Sequence, residues 1–328
     1  MTAAGSPSVI SVVITAFEQA GTVRAAVLSA LQQEGVEVEV VVVDDGSSDD
    51  PRAALHGLAD VQVVRQQNAG VNAARNRGLS RARGDLIVFL DGDDALLPGS
   101  LRTSSQMVSR EPDVHFVVGR ALHIDNQDRV VGAAPHEPRG RTGLFEELLR
   151  RPWIYPPSTV LFRRSTLQSI GGFDEALPQG GEDLDLYLRV ARRFAGRDHG
   201  QYVVAYRLAG RATSDGQKML SRNLNVLERH RTEIADDVLL VAALEAGRRY
   251  LTWLWGSKML AQEIRRQPLS AASATASLRL AVVLLRAPGL TSSAIIGRAK
   301  TALRRHARGS TPDGRLSRTS ALTMWRPR

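Results

Sequence analysis

Short apolar runs alternate with amphipathic stretches along the first half of the chain. The runs are rich in β-branched residues, have the length of buried strands, and stand at 9–14, 36–43, 61–64 and 86–90. Between them, the apolar spacing predicts one helix with Thr22 as its N-cap and another that begins at Gly70 and runs to about Ala82. Strands that alternate with helices in this way predict a mostly parallel sheet with helices on both faces.

The second half of the chain is less regular. It predicts strands at 114–119, 158–164 and 201–207, a Pro- and Gly-containing loop at 132–141, and a helix at 182–194. Beyond about residue 216 the pattern is helical and ends in a polar, basic stretch. We therefore expect an α/β domain at 1–232, a helical appendage at 233–307 and a disordered basic tail at 308–328.

The composition is typical of a soluble globular protein, with 43% hydrophobic and 23% charged residues. The 328 residues include no cysteine, which excludes disulfides and thiolate metal sites and fits a reducing compartment. The N-terminal sequence has no basic region of the kind that opens a signal peptide, and no apolar run is long enough to span a bilayer. We therefore expect a cytoplasmic protein.

The net charge of +9 is distributed unevenly. From Arg248 onward there are 16 Lys and Arg residues against two acidic ones, whereas the first 247 residues carry a net charge of −5. Residues 240–300 also contain Trp253 and Trp255, so this region could cover the acceptor side of the domain or make peripheral contact with the inner face of a membrane. The alternative is that its helices pack on the domain and its arginines are solvated.

The sequence has no nucleic-acid-binding motif, and we expect no nucleic-acid partner.

Three carboxylates follow the predicted strand at 86–90 within four positions. They are Asp91, Asp93 and Asp94, and Gly92 allows the chain to turn so that alternate carboxylates converge. Carboxylates this close repel one another, and their hard oxygens suit Mg²⁺ or Mn²⁺. The alternative is a turn with capping aspartates. The run of three acids behind a buried strand favours a divalent cation.

Three further segments have polar residues where a parallel sheet would form a site. Asp44 and Asp45 follow the strand at 36–43, and they either make turn hydrogen bonds or accept one from a nucleotide base. Arg75, in "NAGVNAARNRGL", either faces a pyrophosphate or is solvated. Glu182 and Asp183 open a predicted helix beside paired glycines, where they either stabilise the helix dipole or provide a general base.

The order of these segments resembles the family 2 glycosyltransferases of GT-A fold. The resemblance runs from about Val9 to Arg231 and rests on "VVDDGSSDD", "NAGVNAARNRGL", "GDLIVFLDGDD", "GGFDE" and "GEDLDLYLR". It implies a GT-A-type, Rossmann-like α/β fold in which residues 1–110 bind the nucleotide and residues 111–232 bind the acceptor.

The resemblance also implies a role for each site residue. The donor nucleotide would be contacted by Thr15, Phe17, Glu18, Asp44 or Asp45, Arg75, Asp91 and Gly92. Asp91 and Asp93 would form the D-x-D element, with Asp93 as the direct metal ligand and Mn²⁺ or Mg²⁺ as the cofactor. Asp183, with Glu182 beside it, would be the general base.

The implied activity is transfer of one sugar, with inversion, from a nucleoside-diphosphate sugar to an acceptor hydroxyl. A UDP-linked donor, a saccharide or lipid-linked acceptor, and a role in cell-surface polysaccharide or glycoconjugate synthesis follow from the same resemblance. The Q-x-x-R-W motif of processive members is absent, which favours a metal-dependent hexosyltransferase that adds single sugars.

Two positions depart from the family pattern. Glu18 stands where an asparagine is usual, and Ala209 stands where many relatives have a metal- or diphosphate-binding histidine. The second change leaves three alternatives: metal binding is weaker, it relies on Asp91 and Asp93 with water, or Arg207 or Arg211 takes over part of that function. It also leaves open a non-catalytic, transferase-like scaffold. A sugar nucleotidyltransferase is a further alternative, but the loop after the first strand lacks the glycines and basic residues that a triphosphate requires.

Overall fold

The structure is a computed structural model that describes residues 9–134, 143–208 and 215–266. Its strands are β1 Ile10–Ala16, β2 Val38–Asp44, β3 Val61–Arg65, β4 Leu86–Asp91, β5 Ala95–Leu96, β6 Val114–Ile124, β7 Val130–Ala133, β8 Val160–Arg163 and β9 Ala195–Arg207. Its helices are α1 Ala20–Leu31, α2 Pro51–Ala54, α3 Val71–Arg81, α4 Ser100–Arg110, α5 Leu144–Arg150, α6 Arg164–Ser169, α7 Glu182–Arg193, α8 Gly216–Arg231 and α9 Val238–Arg266.

The strands form one sheet in the order β3-β2-β1-β4-β8-β6-β9-β5, with β7 paired to β6. Strands β1 to β4 are parallel, as the alternating pattern predicts. Strand β8 runs antiparallel to both β4 and β6, while β6 and β9 are parallel to each other. The α/β class is therefore confirmed, and the second half makes the sheet a mixed one.

The core explains why the strands read as unbroken apolar runs. Residues 12–14, 40–43 and 87–90 are almost completely buried, because β1, β2 and β4 lie inside the sheet with helices over them. Helix α3 packs so closely on β1 that a Cβ atom added to Gly78 would lie 2.1 Å from Cγ1 of Val13. This close contact fixes α3, which carries Arg75, against the strands that end at the site.

Two local predictions require correction. Helix α1 begins at Ala20, so Thr22 lies inside the first turn and donates its hydroxyl to the carbonyl of Gln19 instead of acting as N-cap. The predicted loop at 132–141 is shorter at its start, because Gly132 and Ala133 pair with β6. Its residues 135–141 lie outside the described part of the chain.

The C-terminal part of the described chain is helical, as the pattern predicts. The chain forms two compact units, Met1–Leu251 and Thr252–Arg328, and the boundary falls within α9. None of the helices described combines the length and hydropathy that a bilayer crossing requires. The tail at 308–328 lies outside the described residues, and the domain limits at 232 and 307 remain predictions.

Candidate active site

The carboxyl ends of the parallel strands bring the predicted site residues to one edge of the sheet. Ala16 lies beside Asp44, Thr15 beside Asp91, and Asp44 beside Arg65 in the strand register. Ligands of open α/β sheets bind outside this edge. The sequence segments that end these strands are therefore neighbours in space.

The three acids of the D-G-D-D segment form one cluster. Single carboxylate oxygens of Asp91, Asp93 and Asp94 all lie within 4.8 Å of one another. The amide of Gly92 donates to the carbonyl of Thr15 at 2.9 Å, and a Cβ atom at Gly92 would lie 2.9 Å from Oε1 of Gln19. The backbone carbonyl oxygen of Thr15 would lie 3.1 Å from the same Cβ position, so a larger residue here would crowd the loop after β1.

The donor set of this cluster fits a divalent cation. Oxygens about 2.1 Å from an octahedral Mg²⁺ are about 3.0 Å apart when adjacent and about 4.2 Å apart when opposite, so three oxygens within 4.8 Å of one another need only side-chain movement to converge on one cation. Carboxylates are also the ligand type that Mg²⁺ and Mn²⁺ prefer. Asp94 is a third member that the predicted ligand pair, Asp91 and Asp93, leaves out, although the same D-G-D-D segment points to it.

Arg75 lies between this cluster and the start of α7. Its Nη2 is 3.1 Å from Oδ1 of Asp91, and its Nη1 is 3.2 Å from Oε1 of Glu182. The side chain is 4% exposed, so it is not open to a donor phosphate in this structure. Burial alone would lower the pKa of Arg75, but the two carboxylates raise it above its usual value, and the guanidinium remains charged. Arg75 thus bridges two site elements in this structure, and its contact with a donor phosphate stays a prediction.

Glu182 and Asp183 differ in their surroundings, although both open α7. Glu182 is buried and accepts hydrogen bonds from the amides of Gly180 and Gly181 as well as from Arg75. Asp183 is half-buried, and one of its oxygens accepts a hydrogen bond from the amide of Leu184 at 2.8 Å. Burial and the negative charge of Glu182 raise the pKa of Asp183 to about 7. Of the pair, Asp183 therefore has the properties of a base.

Asp44 and Asp45 make the turn hydrogen bonds that were one of their two predicted roles. Asp44 accepts from the amide of Ser47 at 2.8 Å and pairs with Arg65 at 3.1 Å. Asp45 accepts from the side chain of Gln66 and from the amides of Ala69 and Gly70, each within 2.9 Å. Both carboxylates are buried and hold the loop that leads into α3.

An open cleft of about 580 Å³ lies next to these two aspartates. It is lined by Gly46, Arg65, Gln66, Gln67 and Asn68. The residues after β3 were missed as site residues from the sequence, although the polar run "RQQN" at the end of a predicted strand could have indicated them. The cleft provides amide, guanidinium and backbone groups at the edge where a nucleotide is expected.

The loop after β1 is held by Glu18. Its backbone is left-handed, with φ 53°, and its carboxylate accepts from both the amide and the hydroxyl of Ser48. The amide of Glu18 in turn donates to the hydroxyl of Ser47 at 3.0 Å. Glu18 therefore joins two loops of the site, while the ring of Phe17 is 49% exposed beside it.

Arg207, at the end of β9, reaches the D-G-D-D segment. Its Nε donates to the carbonyl of Asp93 at 3.0 Å, and its backbone amide donates to Oδ1 of Asp94 at 3.0 Å. The guanidinium is thus engaged with the loop that holds the acids. Ala209 and Arg211 lie outside the described residues.

Comparison with known proteins identifies the family of the chain. The model of "Glycosyl transferase family 2" matches residues 11–171, which include β1, the D-G-D-D segment and α3. An uncharacterized protein, MT1568 of Mycobacterium tuberculosis, is 32% identical over 241 residues, or 68% of this chain and 73% of that protein. The chain belongs to glycosyl transferase family 2. The family that the sequence motifs resemble is thereby confirmed.

Two further relatives have named activities or pathways. The succinoglycan biosynthesis protein ExoU of Rhizobium meliloti is 42% identical over 207 residues, and the match spans 58% of each chain. The glucosyltransferase WfaP of Escherichia coli, described as UDP-Glc:alpha-D-GlcNAc-diphosphoundecaprenol beta-1,3-glucosyltransferase, is 27% identical over 67% of this chain and 85% of its own length. The chain thus matches little more than half of ExoU.

A solved structure confirms the fold. The mannosyltransferase PcManGT of Pyrobaculum calidifontis, solved in complex with GDP-Man and Mn²⁺, superposes with a TM-score of 0.56 at 18% identity. The match covers 94% of this chain and 89% of PcManGT. The fold of the family 2 protein described here is therefore the GT-A fold that its sequence implies.

Proposed function

We propose that this family 2 protein transfers a single sugar, with inversion, from a UDP-linked donor to an acceptor hydroxyl. One observation carries the proposal: Arg75 joins the acidic cluster to the first turn of α7, next to Asp183. A group suited to bind a metal diphosphate and a group suited to remove a proton therefore belong to one connected site.

Asp183 is the general base in this proposal. Its pKa of about 7 leaves it half ionised at neutral pH and able to accept the proton of the attacking hydroxyl. Glu182 already accepts hydrogen bonds from Arg75 and two backbone amides, so in this proposal it orients the helix terminus. Its negative charge raises the pKa of Asp183. An inverting transfer requires only this one base.

The donor would lie along the carboxyl edge of the sheet. The cleft lined by Gly46 and residues 65–68 is the proposed place of the nucleotide base, with the exposed ring of Phe17 available for stacking. Asp91, Asp93 and Asp94 would hold Mn²⁺ or Mg²⁺. When bound, the cation supplies positive charge that stabilises the departing diphosphate. Arg75 keeps Asp91 directed at that position.

The acceptor and the cellular setting are proposed from the relatives. The name of WfaP specifies a UDP-glucose donor and a lipid-linked acceptor, and ExoU is named for polysaccharide biosynthesis. We propose a saccharide or lipid-linked acceptor in cell-surface polysaccharide or glycoconjugate synthesis. On this proposal the protein would be cytoplasmic, and its basic C-terminal region would contact the inner face of the membrane.

Thermal unfolding with a panel of ligands tests this function. Wild type, Asp93→Asn and the control Asp60→Asn are each heated with UDP, GDP, UDP-sugars and GDP-sugars, in Mn²⁺, Mg²⁺ or EDTA. Asp60 is an exposed residue in a left-handed conformation that asparagine also adopts. A ligand that binds only the folded state raises Tm according to its saturation. We expect a UDP-specific, Mn²⁺-dependent increase that Asp93→Asn loses and Asp60→Asn retains.

Other outcomes identify the alternatives. A GDP-specific increase would reject the UDP donor and keep the transferase, while the same increase in EDTA would reject the metal. If no nucleotide raises Tm of the wild type, the non-catalytic scaffold becomes the better description. Incubation of the binding UDP-sugar with candidate acceptors then tests transfer by release of UDP, and the anomeric configuration of the product, read by NMR, tests inversion.

A further inference from the structure

The guanidinium of Arg207 connects three segments that are far apart in the sequence. Its Nε donates to the carbonyl of Asp93 at 3.0 Å, its Nη1 to the carbonyl of Asp125 at 2.8 Å, and its Nη2 to Oδ1 of Asp128 at 2.6 Å. The side chain is 15% exposed. We call this arrangement the Arg207 clamp: it ties the end of β9 and the turn between β6 and β7 to the D-G-D-D segment.

The backbone of Arg207 adds a fourth bond to the same segment. Its amide donates to Oδ1 of Asp94 at 3.0 Å, so Asp93 is held through its carbonyl and Asp94 through its carboxylate. All three nitrogens of the guanidinium already donate to protein oxygens. These contacts use three of its five N–H groups, so Arg207 is engaged with the loop in this structure. A direct part for Arg207 in diphosphate binding stays a prediction.

We propose that Arg207 is a positioning residue that sets the direction of the metal-binding carboxylates. This inference rests on the proposed function. The carbonyl of Asp93 and its side chain are attached to adjacent backbone atoms, so fixing the carbonyl restricts where the carboxylate points. Metal sites depend on such outer contacts, and their loss typically weakens metal binding about 10–100-fold.

The planar shape of arginine matters for this role. Its fork directs donors to three separate oxygens at once, whereas the ammonium of lysine is a compact charge on a flexible stem. Arg207→Lys is therefore expected to keep the positive charge near Asp128 but lose the simultaneous contacts with the carbonyls of Asp93 and Asp125. Arg207→Met loses both the charge and the planar set of donors, whereas Arg207→Lys loses only the planar set. Comparison of the two variants therefore separates the effect of charge from that of geometry.

The test measures metal binding directly rather than turnover. Mn²⁺ is titrated into wild type, Arg207→Met and Arg207→Lys in the presence of saturating UDP. Electron paramagnetic resonance measures the concentration of Mn²⁺ that remains free. Arg163→Met is the matched control. Arg163 also donates to backbone carbonyls, those of Val108, Pro112 and Val114, but it pairs with Leu86 at the start of β4, the opposite end of that strand from Asp91. We expect the Kd for Mn²⁺ to rise about 10-fold or more in both Arg207 variants, and to be unchanged in Arg163→Met.

A second pair of variants covers the case in which Arg207 substitutions prevent folding. Asp128→Gly removes one acceptor of the clamp on an exposed turn whose φ of 59° glycine adopts readily. Asp60→Gly is its control, with a φ of 60° on another exposed turn. We expect weaker Mn²⁺ binding in Asp128→Gly, by a smaller factor than in Arg207→Met, and wild-type binding in Asp60→Gly.

The outcomes distinguish the two proposals. If wild type binds Mn²⁺ and folded Arg207 variants bind it equally well, the clamp has no positioning role and the proposed function stands. If UDP binding in EDTA weakens as much as Mn²⁺ binding, Arg207 acts on the donor and the inference is overturned. If wild type itself binds no Mn²⁺ with UDP, both the metal-dependent function and the positioning role are rejected.

Discussion

Asp183 has a pKa near neutrality because two opposing influences meet at the start of α7. Burial and the charge of Glu182 raise the pKa, and the amide of Leu184 and the guanidinium of Arg75 lower it. The result is about 7, against an ordinary value of 3.8. A base with this pKa is largely ionised just above neutral pH and still binds a proton strongly enough to remove one from a hydroxyl.

The pH profile of transfer should therefore show the ionisation of Asp183. The carboxylate is the active form of the proposed base. On that proposal kcat/KM should increase with pH up to about 7 and then level off, falling about tenfold per pH unit on the acid side. Asp183→Asn should lower kcat by roughly 10²–10⁴-fold and remove the acid limb. An Asp183→Asn enzyme that keeps wild-type kcat would contradict the assignment. Asp60→Asn is the control.

The same shift predicts how stability depends on pH. The folded state holds the proton of Asp183 up to about pH 7, whereas the unfolded state loses it near 3.8. Between these values the folded state binds more protons, so the contribution of Asp183 to the free energy of unfolding decreases as pH rises. Asp183→Asn should remove this decrease, measurable by urea unfolding at pH 5 and pH 8.

At the level of elements, α3 organises the site through its packing. Gly78 lets it approach β1, with an added Cβ atom lying 2.1 Å from Val13 and 3.3 Å from Val43. The side chain of Asn72, on the same helix, donates to the carbonyls of Asp174 and Leu177. Arg75 then reaches both β4 and α7. The position of this one helix therefore sets the distance between the acidic cluster and Asp183.

A methyl group at Gly78 tests that packing. Gly78→Ala should lower the free energy of unfolding by about 1–3 kcal/mol, because the methyl group cannot fit without moving α3. Gly21→Ala is the control: Gly21 lies in α1 with no atom near its added Cβ, and the change should be neutral or stabilise by up to about 1 kcal/mol. Urea denaturation measures both. If Gly78→Ala were as stable as the wild type, α3 would adjust freely to the added methyl group and would not fix the site.

At the scale of the whole molecule, charge separates the C-terminal quarter from the rest. The net charge is −5 before Arg248 and +14 from there to the end. Much of the basic region lies outside the described residues, so its charge is known from the sequence alone. A protein that acts on a lipid-linked acceptor would gain from such a region, because anionic lipids attract Lys and Arg near the surface.

Flotation with vesicles tests this membrane contact. The full chain should float with vesicles containing anionic phospholipid at about 0.01 M salt, where charges interact over about 30 Å. It should release at about 1 M salt, where this range falls to about 3 Å, and it should not float with neutral vesicles. If the protein stays unbound under all conditions, the membrane contact is rejected and the packing alternative for the C-terminal helices is favoured.

The sequence by itself determined the features that depend on neighbouring residues. Apolar spacing predicted the long strands and helices α1, α3 and α7, because burial of one face needs only local spacing. It did not predict the short strands β5 and β7 or helices α4, α5 and α6. The D-G-D-D segment indicated a divalent cation, because three carboxylates within four positions repel unless something positive lies among them. The order of the motifs identified the family, which the family match confirms.

Only the tertiary structure decided which distant groups meet. Arg75 contacts Glu182, 107 positions away, and Arg207 contacts Asp93, 114 positions away. Strand β8 lies antiparallel between β4 and β6, a pairing of segments that are distant in the sequence. The raised pKa of Asp183 likewise depends on burial, which only the packing of the chain produces. Burial strengthens charge interactions and removes solvent from each group, so a side chain acquires its role from neighbours that the sequence does not place beside it.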